Sequence, residues 1–150
     1  NETIHNNVIK SSIQKVNPDL IVTHYYKDYH SDHINLSKIV KNAAGHYIPI
    51  LYCDTMMGIN FLPNYYVDIT KYMNDKINSI SAHKTQKPER FINLAKLMNA
   101  YRSAQCNASK GRYAEAFYFE PSFPFSDIRK ILPESPEILP FHIKNINGFL

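Results

Sequence analysis

The chain has 150 residues, with 17 Lys or Arg against 13 Asp or Glu, and a formal net charge of +4 at pH 7. A chain of this length suits a single domain, because it can bury roughly two-thirds of the surface that its unfolded form exposes. The basic residues are scattered, which disfavours a nucleic-acid partner, and no apolar run approaches the roughly 20 residues that span a bilayer.

The first half of the chain alternates between helical and strand patterns. Residues 6–16 repeat apolar side chains at helical spacing and predict a first helix. Residues 19–23 contain the short, β-branched run LIV, which is typical of a strand buried in a parallel sheet. A second helix is predicted at 32–44, closed by Gly45 at a C-cap position, and a second strand at 47–52. This order predicts a strand-helix-strand unit with a right-handed crossover.

The second half of the chain continues with a strand at 65–70, two helices at 71–82 and 89–108, and a late strand at 112–120. The remaining residues, 121–150, are rich in proline and predict an irregular tail that covers the domain surface.

Together these elements predict one α/β domain over residues 1–150, a Rossmann-like, mostly parallel sheet with helices on both faces. Such a sheet normally begins with a strand, whereas this chain opens on a helix. We therefore expect that the first strand of the fold precedes Asn1 in a longer protein.

The two cysteines, Cys53 and Cys106, stand apart and show no CxxC spacing. The first residues, NETIHNN, have neither the charge nor the hydrophobic stretch of a signal peptide. We interpret the cysteines as reduced thiols and expect a cytoplasmic protein.

The segment HSDH at 30–33 is the strongest candidate for a functional site. It follows the first predicted strand, and in open α/β sheets ligands bind outside the carboxyl ends of the strands. His33 is a natural zinc ligand, His30 could transfer a proton near neutral pH, and Asp32 could orient an imidazole. The alternative interpretation is that Ser31 or Asp32 caps the next helix and that the histidines are ordinary loop residues.

Five segments in a fixed order make the chain resemble the LmbE/PIG-L N-deacetylases, zinc enzymes that remove acetyl groups from N-acetylglucosamine-type sugars. In that family a strand ending in Thr-His is followed by HPDH, by a Phe-Pro segment with V-D-I-T, by a helix ending in A-H-x-[ST]-Q, and by a late strand with a glutamate. The matching segments are PDLIVTH at 18–24, HSDH at 30–33, FLPNYYVDIT at 61–70, KINSISAHKTQ at 76–86 and YAEAF at 113–117. Each segment is weak alone, and their order and spacing carry the resemblance over most of residues 8–120.

The resemblance implies roles for individual residues of the site. His33 would bind zinc, His30 would polarise the amide carbonyl and stabilise the oxyanion, and Asp32 would orient His30. Weaker candidates for lining the pocket are Tyr29, His83, Gln86 and Glu115. For the first and last of these, the alternatives are an exposed loop aromatic and a solvent-facing strand residue.

Two departures from the family's pattern bear on the metal site. Ser31 stands where the family usually has proline, which removes no functional group. The family's first motif, His-Pro-x-Asp-Asp/Glu, which supplies two zinc ligands and the general base, does not occur in the 150 residues. We expect that this motif lies with the missing first strand in a preceding segment, so that His33 shares the zinc ion with ligands from that segment.

The resemblance implies a zinc-dependent hydrolase that releases acetate from an N-acetylglucosamine-type sugar or conjugate, an N-deacetylase acting on a linear amide. The expected partner is this small amino-sugar substrate, with no nucleic acid and no membrane, and a homo-oligomer is compatible with the sequence. Two alternatives stay open. One is a non-catalytic carbohydrate-binding or assembly subunit of the same fold, and the other is a different metal hydrolase that shares only the HxDH arrangement.

Overall fold

The computed structural model describes residues 2–121, and side chains from residue 7 onward. Almost all of the predicted proline-rich tail lies outside these residues. The helices are α1 (Glu2–Val16), α2 (Ser31–Ala44), α3 (Met73–Ser81) and α4 (Pro88–Gln105), and the strands are β1 (Ile21–Thr23), β2 (Ile50–Cys53), β3 (Tyr65–Asp68) and β4 (Ala114–Glu120). No helix within the described part is long and apolar enough to cross a membrane.

Every predicted helix and strand occurs, in the predicted order, with ends that differ by a few residues. Gly45 ends α2 at a φ of 62°, and its N–H donates to the carbonyl oxygen of Lys41, so the predicted C-cap is confirmed. The third helix begins later than predicted because Thr70–Tyr72 forms a 3₁₀ turn. The fourth helix ends earlier, and Asn107 beyond it has a φ of 53°, which an α-helix cannot continue.

The four strands form one sheet in the order β1-β2-β4-β3. Strand β1 is parallel to β2, with Ile21 opposite Ile50, and β4 is antiparallel to both β2 and β3. The predicted α/β fold is confirmed, whereas the predicted mostly parallel, Rossmann-like sheet is wrong, because two of its three strand pairs are antiparallel.

The chain connections explain this difference. One helix, α2, joins β1 to β2, and a single crossover helix returns the chain to the same end of the sheet, so the two strands run parallel. Two consecutive helices, α3 and α4, join β3 to β4. A second helix brings the chain back to the opposite end, and β4 therefore enters the sheet in the reverse direction.

Hydrophobic side chains pack on both faces of the sheet. Alternate residues of β3 and β4 belong to two separate clusters, as expected when side chains of a strand point to opposite faces. The first cluster contains Tyr52 and Phe61 and takes Ala44 from α2. The second contains Met73 from α3 and is joined by Ala95 from α4. Helices therefore cover both faces of the sheet. The carboxyl ends of the parallel strands β1 and β2 lie at the same end of the sheet.

Candidate functional site

Three side chains converge where the chain leaves β1. His24 follows the strand directly, Asp28 lies in the next loop, and His33 lies in the first turn of α2. Their candidate ligand atoms are all within 4.8 Å of one another. Two imidazole nitrogens and a carboxylate oxygen are a donor set that zinc accepts, so these three residues, the HDH group, could hold a metal ion.

Asp28 holds His33 in a defined orientation. Its Oδ2 lies 2.9 Å from Nδ1 of His33, and its Oδ1 accepts the backbone N–H of His30 at 3.1 Å. A carboxylate only accepts, so the proton sits on Nδ1 of His33, and Nε2 of the neutral ring keeps a free lone pair. Burial raises the pKa of Asp28, which is 6% exposed, but the hydrogen bonds from His33 and His30 outweigh it and leave the pKa below its usual value.

His24 packs face to face against His33. The ring centroids are 3.8 Å apart and the planes differ by 2°. Burial, and then the neighbouring His33, lower the pKa of His24 below its usual value, because both disfavour its charged form. His24 is therefore neutral at pH 7 and can offer a lone pair.

His30 also stacks on His33, with ring centroids 4.6 Å apart. It is the N-cap of α2, and its Nδ1 accepts the backbone N–H of Asp32 at 3.2 Å. Because Nδ1 accepts, the neutral ring carries its proton on Nε2. His30 therefore presents an N–H donor, whereas His33 presents a lone pair.

The predicted contact between the Asp32 carboxylate and His30 is absent from the described part of the chain. Asp32 touches His30 through its backbone amide, and its side chain is exposed, because the helix start turns that amide toward the cap. The carboxylate that orients an imidazole is Asp28, and the imidazole is that of His33.

A cavity of about 450 Å³ opens beside the HDH group, within the size range of small-molecule sites. All three residues of the group line it, together with Tyr29, Asp54 and Met56. Tyr29, predicted to line the pocket, thus lies along this cavity, and its hydroxyl donates to Sδ of Met56 at 3.6 Å. We call this cavity of about 450 Å³ the histidine cavity.

Glu115, another predicted pocket residue, lines a second cavity of about 380 Å³. Its Oε1 lies 2.5 Å from Nζ of Lys76. Cys53 and Asp54 line both cavities, so the two adjoin. Burial raises the pKa of the Cys53 thiol to about 11, which leaves it neutral and a poor nucleophile.

Two predicted pocket residues, His83 and Gln86, which follow the third helix, do not line the histidine cavity. His83 and Gln86 are exposed and line a separate hollow with Phe91. They follow β3 and α3, and β3 lies at the opposite edge of the sheet from β1. The packing of the segment after α3, which the sequence does not reveal, places them in this separate hollow.

Two residues of the site, His24 and Asp28, were missed as candidate ligands by sequence reasoning. A signal existed for each of them. The histidine is the first residue after a predicted strand, at the end where ligands bind. The aspartate stands in the loop that follows, five residues before His33.

Comparisons with known proteins support the fold. No protein-family model matches the sequence. Among solved structures, the chain is similar to GalB, the 4-carboxy-2-hydroxymuconate hydratase from Pseudomonas putida KT2440, with a TM-score of 0.60 and 17% sequence identity. The match covers 92% of this chain and 62% of that chain, so this chain spans less than two-thirds of the length of that structure. At this identity the likeness shows a shared fold.

Proposed function

We propose that the protein is a zinc-dependent hydrolase that removes the N-acetyl group from an N-acetylglucosamine-type sugar or sugar conjugate. The observation that carries this proposal is the HDH group, His24, Asp28 and His33, which lines a ligand-sized cavity. His30, whose ring stacks on that of His33, lies next to the group. The ordered segments that resemble the LmbE/PIG-L N-deacetylases support the choice of reaction.

The residues of the site fit a zinc ion in both charge and donor type. Nε2 of His33 carries a free lone pair, the lowered pKa of His24 keeps its ring neutral, and the lowered pKa of Asp28 keeps its carboxylate charged. Asp28 would either bind the ion or act as the carboxylate that aligns His33 as a ligand. When bound, zinc supplies a Lewis acid that lowers the pKa of water toward about 7.

His30 is the residue that would act on the acetyl group. Its Nε2–H would donate to the acetyl carbonyl oxygen and stabilise the negative charge that develops there. Water would supply the hydroxyl group of the acetate and the proton of the leaving amine, so that His30 keeps its Nε2 proton and the products are acetate and a free amino sugar. Asp28 and the N-cap hydrogen bond keep the two imidazoles in complementary tautomers.

The experiment that tests this proposal measures acetate and free amine after the zinc-loaded protein is mixed with N-acetylglucosamine and its conjugates. We expect equal amounts of both products, a strong fall in turnover with retained zinc in His30→Ala, and loss of zinc in His33→Ala. Protein without stoichiometric zinc that binds the sugar and releases no acetate would instead be the non-catalytic carbohydrate-binding subunit.

A second candidate reaction is favoured by the shared fold with 4-carboxy-2-hydroxymuconate hydratase. The substrate panel therefore includes 4-carboxy-2-hydroxymuconate, together with acetyl esters and phosphoesters. Consumption of one of these without acetate release from the amides would replace deacetylation with hydration or with another hydrolysis.

A further inference from the structure

The separate hollow lined by His83 and Gln86 is formed by the segment that joins α3 to α4. It has a volume of about 380 Å³ and shares no lining residue with the histidine cavity. Ile80, Pro88 and Phe91 make part of its lining apolar, and all three are half-buried. The exposed His83 and Gln86 add side-chain groups that can hydrogen-bond to a peptide backbone. We call it the α3–α4 hollow.

Positive charge flanks the lining residues of this hollow along the chain. Lys84, Lys87 and Arg90 each stand next to a lining residue and are exposed. Within the described residues, none of the three forms an ion pair. Glu89 is the only acidic residue among positions 80–91, so the segment keeps a net positive charge. This charge favours an acidic ligand over a neutral or basic one.

Charge and apolar surface together narrow the chemistry of the ligand. An exposed ion pair contributes little to binding, whereas burial of an apolar side chain contributes more. A small anion would leave the apolar lining uncovered, and a hydrocarbon would leave the basic side chains unpaired. The ligand that uses the whole hollow is therefore a peptide with both carboxylates and apolar side chains.

The chain contains such a peptide in residues 132–140, LPESPEILP, which lie outside the described part of the structure. Glu134 and Glu137 supply two carboxylates, and the segment has no basic residue. Ile138 and Leu139 supply two large apolar side chains. Its three prolines restrict the unbound chain, so that binding costs less conformational entropy.

The connection from the domain to this segment is long enough to allow the contact. Pro121 is the last described residue, and Leu132 follows 11 residues later. An extended chain covers at most about 3.3–3.6 Å per residue, so the connection spans up to roughly 36 Å. A domain of about 120 residues has a radius of gyration of roughly 14 Å, so the connection is about as long as the domain is wide. Because both partners belong to one chain, their effective concentration is high and weak contacts suffice.

We propose that residues 132–140 bind in the α3–α4 hollow of the same chain. Glu134 and Glu137 pair with the basic side chains that flank the hollow, and Ile138 and Leu139 cover its apolar lining. The proposal does not depend on the proposed function, because the hollow and the histidine cavity share no residue.

The test is zero-length cross-linking of the full chain with a carbodiimide, which joins a carboxylate to an amine that it contacts. An equal mixture of ¹⁴N- and ¹⁵N-labelled chains is treated, digested and analysed by mass spectrometry. We expect Lys84 or Lys87 to be joined to Glu134 or Glu137, with both peptides of each pair carrying the same isotope. Lys38 is the control amine, since it is exposed on α2, the helix on the other face of the sheet, and should not be joined to these glutamates.

Two matched variants test the apolar part of the contact. Ile138→Asp should lower the yield of these cross-links by about threefold or more, because burial of an aliphatic side chain is lost. Ile146→Asp makes the same change outside residues 132–140 and should leave the yield unchanged.

Three outcomes would overturn the proposal. Cross-linked pairs of mixed isotope would show that the hollow takes the segment of a second copy. The absence of cross-links from Lys84 and Lys87 to either glutamate would leave the hollow to another ligand or to water. Equal losses of yield in the two aspartate variants would show that the segment 132–140 is not what the hollow recognises. The wild-type mixture decides the matter even if a variant does not fold.

Discussion

The imidazole rings of His24 and His33 stack with their centroids 3.8 Å apart and their planes within 2° of parallel. Burial, and then the neighbouring His33, lower the pKa of His24, so its ring is neutral at pH 7. Oδ2 of Asp28 lies 2.9 Å from Nδ1 of His33 and accepts its hydrogen bond, which leaves Nε2 of His33 available. The three residues of the HDH group could hold a metal ion, because their candidate ligand atoms all lie within 4.8 Å of one another. This possibility leads to specific expectations.

Removal of the Asp28 charge should weaken zinc binding without removing an imidazole. In Asp28→Asn the shape is kept, but the negative charge that aligns His33 is lost. We expect the zinc affinity to fall by about 10- to 100-fold, as for other carboxylates that support a metal-bound histidine. Competition with a chromophoric zinc chelator measures it. Asp19→Asn changes an exposed aspartate and should match wild type; equal affinities in all three proteins would contradict the role of Asp28.

The stability of the metal-free chain should depend on pH through His24. Its pKa is lowered from 6.5 in the folded state, so the unfolded state takes up the proton more readily. Stability attributable to His24 is therefore present above pH 6.5 and decreases as the pH falls toward the lowered value. Urea unfolding from about pH 8 to about pH 5, the range in which histidine titrates, measures this in wild type and in His24→Asn. The variant should lose less stability over that interval, and an identical pH dependence would contradict the shift.

Zinc should make this pH dependence steeper. Protons compete with the metal for the imidazole lone pairs, so the stabilisation by zinc should shrink as the pH falls. Thermal unfolding with and without excess zinc, repeated after chelator treatment, measures the effect. A zinc-induced rise in Tm that is equal at neutral and acidic pH would show that the ion binds elsewhere.

The clamp between Arg102 and Asp54 should be a major contributor to stability. Arg102→Met removes a nearly buried guanidinium and leaves the carboxylate of Asp54, which is 21% exposed, without its partner. We expect the free energy of unfolding to fall by about 3 kcal/mol, the lower end for broken buried pairs, because water reaches Asp54. Arg90→Met, on the exposed face of the same helix, is the matched control and should change it by less than about 0.5 kcal/mol. Similar losses in both variants would show that the clamp is not the cause.

The sequence predicts where the site lies better than it predicts which residues form it. A short β-branched run marks β1, and the rule that ligands bind at carboxyl ends of strands places the next loop at the site. His30 and His33 follow from this reasoning. Asp28 does not, because which carboxylate meets an imidazole depends on the path of the loop. The sequence pattern predicts that the carboxylate of Asp32 orients an imidazole, whereas in the structure Asp32 meets His30 through its backbone amide.

The sheet also shows what the sequence pattern does not predict, namely which strands are neighbours. Periodicity identifies each helix and strand, because it reports which side of a segment is buried. It does not report the order of the strands. The insertion of β4 between β2 and β3 brings Glu115 into the same cavity as Cys53, whereas His83 lines a separate hollow. Both outcomes depend on non-local pairing.

Zinc binding by the intact protein, measured by isothermal titration calorimetry, tests the central claim that the HDH group is a metal centre. We expect one zinc ion per chain, and affinities at least about 100-fold lower in His24→Ala and in His33→Ala, since each removes a ligand. His46→Ala, which changes an exposed histidine outside the group, should bind like wild type. Wild-type affinity in the double variant of His24 and His33, or the absence of zinc binding in the wild-type protein, would contradict the claim.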